Sequence, residues 1–236
     1  MKKPKKTVLF IVEGISDKEA LEKIFKQIYK NNKEIEFTFA QGDISSDENT
    51  TEMNVEDKIY NIVLDFMKDK KLNKADICQI IQLFDMDGAY IPEENIVEGD
   101  TSQLVYSTSN ISCKQKEKVI KRNAAKQKII NYLLEKNDIK GINYEMYFMS
   151  CNLDHTLYNQ INLDHNMKVQ YADAFYEKFL RKEKKFILFL KDEVVNGVPD
   201  TMAASWRYIR EDVHSLERHT NLHIYFARYP VADGML

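Results

Sequence analysis

Residues 79–90 read QIIQLFDMDGAY, an apolar run that halts at Asp85-Met86-Asp87-Gly88. ICQIIQLF (77–84) is short, nearly continuous in its apolar character and closed by a turn signal, as a strand buried on both faces would be. Two carboxylates one residue apart at the mouth of such a strand are costly unless something positive binds them. In an open parallel sheet, ligands bind beyond the carboxyl ends of the strands, so the pair marks a candidate site.

The chain on either side repeats the theme. TVLFIVEG (7–14) is a second buried-strand pattern ending in Gly. Ser16 follows as a helix N-cap, Glu19 completes a capping box, and Ala20, Leu21, Ile24, Phe25 and Ile28 recur at helical spacing. EIEFTFAQG (34–42) alternates like a strand nearer an edge, and 41–54 is a polar loop. Val55, Ile59, Ile62, Val63, Phe66 and Met67 outline an amphipathic helix. Residues 88–113 have no clear period and are expected to form a long loop over the site. A basic amphipathic helix is predicted over 115–135, with Val119, Ile120, Ile129, Ile130, Leu133 and Leu134 on its apolar side. YEMYFMS (144–150) is a fourth strand. Helices alone are expected beyond about 165, over 167–182, 184–194 and 200–218, with NLHIYFARYP as one last strand. The expectation is a parallel-sheet α/β domain over 1–160 and a helical C-terminal extension over 161–236.

Composition bounds the function. The chain has 236 residues, 44% hydrophobic and 30% charged, with a net charge of −3, as an ordinary globular protein has. No apolar run is long enough to span a bilayer, and MKKPKK leads into TVLFIVEG without a cleavage site, so a cytoplasmic location is expected. The three cysteines are too widely spaced for a disulfide framework or a metal knuckle. The overall charge argues against a protein that coats nucleic acid, but residues 114–128 are strongly basic. Lys118, Lys121, Arg122 and Lys126 in that stretch are either a solvated helix face or a track for phosphates.

Each predicted strand ends near an acid: Glu13, Asp43, Asp85 with Asp87, and Asp154 just after Ser150. Converging acids repel unless protonated or bridged by a cation. Hard oxygen ligands without Cys/His spacing favour Mg²⁺ or Mn²⁺ over Zn²⁺.

IVEGISDKEAL (11–21) resembles the first motif of the Toprim domain, a strand ending in Glu-Gly with an Asp (here Asp17) opening the next helix. LFDMDG (83–88) resembles the second, an Asp-x-Asp pair closing a later strand. SCNLDHTLY (150–158) is similar to the Ser-Asn-Pro-x-Phe-Glu segment of small defence-type Toprim proteins, with Asp154 near the place of its Glu. The resemblance spans about residues 5–155 and implies a Rossmann-like Toprim fold. It also implies a Mg²⁺-dependent nuclease acting on DNA or RNA, as in OLD-like proteins of phage defence that work with a partner ATPase. Glu13, Asp85 and Asp87 would be its catalytic and metal-binding residues, with Asp17, Asp43 and Asp154 as additional candidate acids. Such sites hold one or two metal ions against a phosphodiester. The chain has no GxxxxGK[ST] motif of its own.

Two other readings compete. A Toprim-like fold can serve as a catalytically weak binding or assembly module. FDMDGA (84–89) is also close to the DxDG motif of haloacid dehalogenase-like phosphatases, with Asp85 as nucleophile. Here Ala89 stands where those proteins have Thr or Val, the motif lies far from the N-terminus, and KDE (191–193) has the wrong order. His219 and His223 have i, i+4 spacing but no HExxH glutamate, so solvated histidines are expected there, and Trp206 is expected in the core.

Overall fold

The computed structural model describes residues 5–32, 35–42, 44, 47, 49–195 and 197–230, with the side chains of 15–17 left out. A five-stranded sheet lies at its centre. In spatial order the strands are β2 (Ile35–Gln41), β1 (Lys6–Val12), β3 (Ile77–Asp85), β8 (Ile142–Met149) and β7 (Asp138–Ile139). The first four run parallel; β7 is a short antiparallel edge folded back onto β8. The fold is therefore α/β, with a mostly parallel mixed sheet between helices.

Register explains the apolar runs. Val8 and Phe10 of β1 lie beside Gln79 and Ile81 of β3, and Ile80 and Gln82 beside Tyr144 and Met146 of β8. β1 and β3 are central strands covered on both faces, which is why every residue of β1 after Lys6 is buried. On one face, Phe10 packs against Phe25 of α1 (Ile15–Ile28), Phe39 of β2 and Tyr225 of α8 (Leu222–Arg228), at centroid distances of 4.8, 4.8 and 5.3 Å. On the other, Ile129, Ile130 and Leu133 of α3 (Lys116–Leu134) and Val55, Ile59 and Val63 of α2 (Val55–Lys70) join the same core. α5 (Lys168–Phe179) lies on α1, and α6 (Glu183–Leu188) runs on as a π-helical turn over Phe189–Val194. The C-terminal helices and the sheet thus share one continuous apolar core.

Three expectations are corrected. NLHIYFARYP is not a strand: residues 222–228 form α8, because Leu222, Ile224, Tyr225 and Phe226 are all buried in a helical geometry against α1 and the sheet. Within 200–218 only α7 (Met202–Tyr208) is α-helical, and the rest is a series of turns. Residues 88–113 are not a structureless loop. They carry a small sheet of β4 (Ile96–Glu98), β6 (Ile111–Cys113) and β5 (Val105–Tyr106), whose Ile96, Ile111 and Cys113 form a second apolar cluster with Leu216 and Cys151. Strands this short leave no periodic signal. The Ser16 side chain proposed as a cap lies outside the described residues.

Candidate functional site

The carboxyl ends of β1 and β3 lie side by side and bring Glu13 to the same rim as Asp85 and Asp87. Asp85 closes β3, and its Oδ1 accepts a hydrogen bond of 3.0 Å from the Leu153 amide at the start of α4 (Leu153–Tyr158). Asn152 caps that helix by accepting from the His155 amide at 2.9 Å, so the cap holds the very turn that holds Asp85.

Asp87 has φ of +48° and Gly88 has φ of +65°, so the chain turns through two successive left-handed residues. Asp tolerates that region better than most side chains do. Space favours glycine at 88 as well: a Cβ there would stand 2.7 Å from Leu216 and 2.9 Å from Ile111, two buried side chains that would have to shift. The turn's amides are paired, Met86 to the Met149 carbonyl and Asp87 to the Cys151 carbonyl.

α3 grips the carbonyl side of this turn. Arg122 donates to the Asp87 carbonyl at 2.8 Å, Asn123 to that of Gly88 at 3.1 Å and Gln127 to that of Ala89 at 2.6 Å. Arg122 also donates to the Tyr106 hydroxyl at 2.8 Å, which ties β5 to the site. Lys126 completes the grip with an ion pair of 2.5 Å from Nζ to Asp87 Oδ2, its side chain only 2% exposed against 21% for the aspartate. The same ammonium lies 5.1 Å from the centre of the Phe84 ring.

Electrostatics follow from this packing. Burial alone would push the Asp87 carboxyl up, but the charges of Lys126 and Arg122 outweigh it and hold the group below the usual carboxylate range. Burial alone would lower the Lys126 ammonium, but Asp87 and then Glu13 outweigh it and raise the group. Cys151 is pushed well above the usual thiol value by burial and by the charges of Asp87 and Asp85. It is an inert thiol rather than a nucleophile.

The cation beside Asp87 thus comes from the protein itself. Lys126 is not on the exposed face of α3, and its place in a surface phosphate track is withdrawn. The signal was present in the sequence: Val119, Asn123, Lys126, Ile130 and Leu133 lie at helical spacing, which puts two polar residues on the apolar stripe. Lys118 and Lys121 do face solvent, and Arg122 is split between the site and Tyr106. Asp154 is buried and pairs with Lys168 at 2.6 Å, and the charge of Lys168 reaches Asp87. Asp43 and the side chain of Asp17 lie outside the described residues.

His219 and His223 are not solvated. Both are buried; His219 shares Glu217 and the Tyr208 hydroxyl, while His223 faces Asp200. Trp206 is in the core, edge-on to Phe148 at 5.1 Å. A cavity of about 1280 Å³ lies by the opposite ends of the strands, between Val8, Cys78, Tyr144 and Trp206, and includes none of the rim acids.

Among the described residues no three Asp, Glu, His or Cys side chains close into a metal cage. Mg²⁺ seldom uses one; it is ordinarily held by one or two carboxylates together with water and substrate phosphate. Glu13, Asp85 and Asp87 are each half-buried at the same rim, and hard carboxylates placed so fit that kind of site. No family model, curated protein or solved structure matches the chain.

Proposed function

We propose that the chain is a Toprim-like, Mg²⁺- or Mn²⁺-dependent phosphodiesterase that cleaves DNA or RNA, with Glu13, Asp85 and Asp87 at its centre. One observation carries the reading: neighbouring central strands end in Glu13 and in Asp85-Met86-Asp87, and a buried ammonium lies within electrostatic reach of both Asp87 and Glu13. An uncharged or apolar ligand gives no reason to gather these charges in a partly buried rim.

Asp85 and Asp87, with Glu13, would hold the divalent ion. When bound, such an ion polarises the phosphodiester and lowers the cost of charge on the attacking and leaving oxygens. The remaining work belongs to the chain's own groups. Glu13 accepts a proton from the attacking water, the task for which a carboxylate at the edge of the rim is suited. Lys126 and Arg122 hold Asp87 ionised, as a carboxylate that binds a cation must be. The α4 amide on Asp85 and the α3 grip on residues 87–89 keep both acids in place. The exposed lysines of α3 would guide the nucleic-acid backbone to the rim. Phage defence with a partner ATPase is the setting suggested by the sequence resemblance.

The test is a cleavage assay on a panel of DNA and RNA substrates, with and without Mg²⁺ or Mn²⁺. Glu13→Gln keeps the shape but loses the base, and cleavage should fall by about 10² or more. Undiminished metal-dependent cleavage by that variant overturns the assignment. Hydrolysis of phosphomonoesters alone, with Asp85 trapped as a phosphoaspartate analogue by beryllium fluoride, would favour the dehalogenase-like reading instead.

A further inference from the structure

We infer that Lys126 is a resident cation holding the place of one metal ion, so that the rim takes a single divalent ion per chain rather than two. This rests on the phosphodiesterase reading above and specifies its site. Two-ion sites set their metals about 3.5–4 Å apart and need carboxylates shared between them. Asp87 is a carboxylate that such sharing would call on, and its Oδ2 is taken by Lys126 Nζ at 2.5 Å.

The ammonium cannot swing away cheaply. It sits on the core side of α3, almost wholly buried, and its neighbours Arg122, Asn123 and Gln127 are bonded to three successive carbonyls of the Asp87–Ala89 turn. Moving Lys126 out means either breaking that grip or leaving a charge buried without its partner, and both are costly.

The measurement is Mn²⁺ binding to the full chain without nucleic acid, counted by electron paramagnetic resonance and checked by calorimetry. The wild-type protein should bind one Mn²⁺. Lys126→Met, which keeps the stem and removes the charge, should bind Mn²⁺ at least about tenfold more tightly, because a competing charge a few ångströms away is gone. Lys126→Arg keeps the charge and should bind a single ion with affinity close to that of the wild type. Circular dichroism checks the fold of each variant, and Lys126→Arg with the wild-type count still decides the matter if Lys126→Met does not fold. Two ions on the wild-type chain, or a dissociation constant unchanged in Lys126→Met, overturns the inference and leaves the phosphodiesterase reading standing. Binding by Lys126→Met alone also overturns it, because the wild-type rim would then hold no ion. No binding by any of the three overturns both.

Discussion

Asp87 shows how much of this site is decided by a single side chain. It occupies a left-handed backbone position, its carbonyl accepts from Arg122, and its carboxylate faces a lysine buried on the far side of the turn. Seen as a sequence, Asp85 and Asp87 repel each other, and neutralising them promises relief. In the folded chain the opposite holds, because removing the charge of Asp87 strands the ammonium of Lys126. Asp87→Asn should therefore destabilise the metal-free protein by about 3 kcal/mol, as expected for a buried pair that loses one member. Urea denaturation measures this directly, and a variant as stable as the wild type would show that Lys126 draws its compensation from Glu13 and Asp85.

At the level of elements, α3 has two jobs on two faces. Its inner face carries Asn123, Lys126 and Gln127 to the turn after β3, and its outer face presents Lys118 and Lys121 to solvent. Only the outer face is available to a nucleic-acid backbone. Replacing Lys118 and Lys121 with Gln should weaken binding of any sequence alike and reduce the salt slope by about 1 per lysine lost. Fluorescence anisotropy over a range of salt concentrations reads both quantities; an unchanged slope would make this face mere solvated surface. The short helix α4 serves the site differently, since its first amide is bonded to Asp85 and its cap, Asn152, sets where that amide points.

For the molecule as a whole, the C-terminal segment is part of the fold's stability and its acid sensitivity. Thr220 and Asn221 hydrogen-bond to Phe148 at the end of β8, and Arg218 donates to the carbonyls of His155, Thr156 and Leu157. His155 is buried beside Arg218 and His219, and burial followed by those charges pushes its pKa down from 6.5 to about 4. The unfolded chain therefore binds a proton that the folded chain resists. The stability from a neutral His155 is fully present above pH 6.5 and is lost as the pH falls toward 4. Between pH 7 and 5 this one group should cost about 2 kcal/mol of stability, and His155→Gln should remove that share of the acid dependence. Equal loss of stability in both proteins over that range would place the sensitivity elsewhere. Among the described residues no helix is long and apolar enough to cross a membrane.

What the sequence determined by itself was local and periodic. The apolar runs of 7–12 and 77–84 read as strands buried on both faces and are strands, and Glu13, Asp85 and Asp87 stand where those runs stop. The spacing of α1, α2 and α3 was legible for the same reason, since one face of each must leave water. NLHIYFARYP misled because Leu222, His223, Ile224, Tyr225 and Phe226 are all buried in succession, which leaves no polar side to give a period. The small sheet within 88–113 was hidden because its strands hold only two or three residues each. The partner of Asp87 was decided by tertiary structure alone. Lys126 lies 39 positions further along the chain, and only the packing of α3 across the end of β3 brings the two charges together and removes the water that would have screened them.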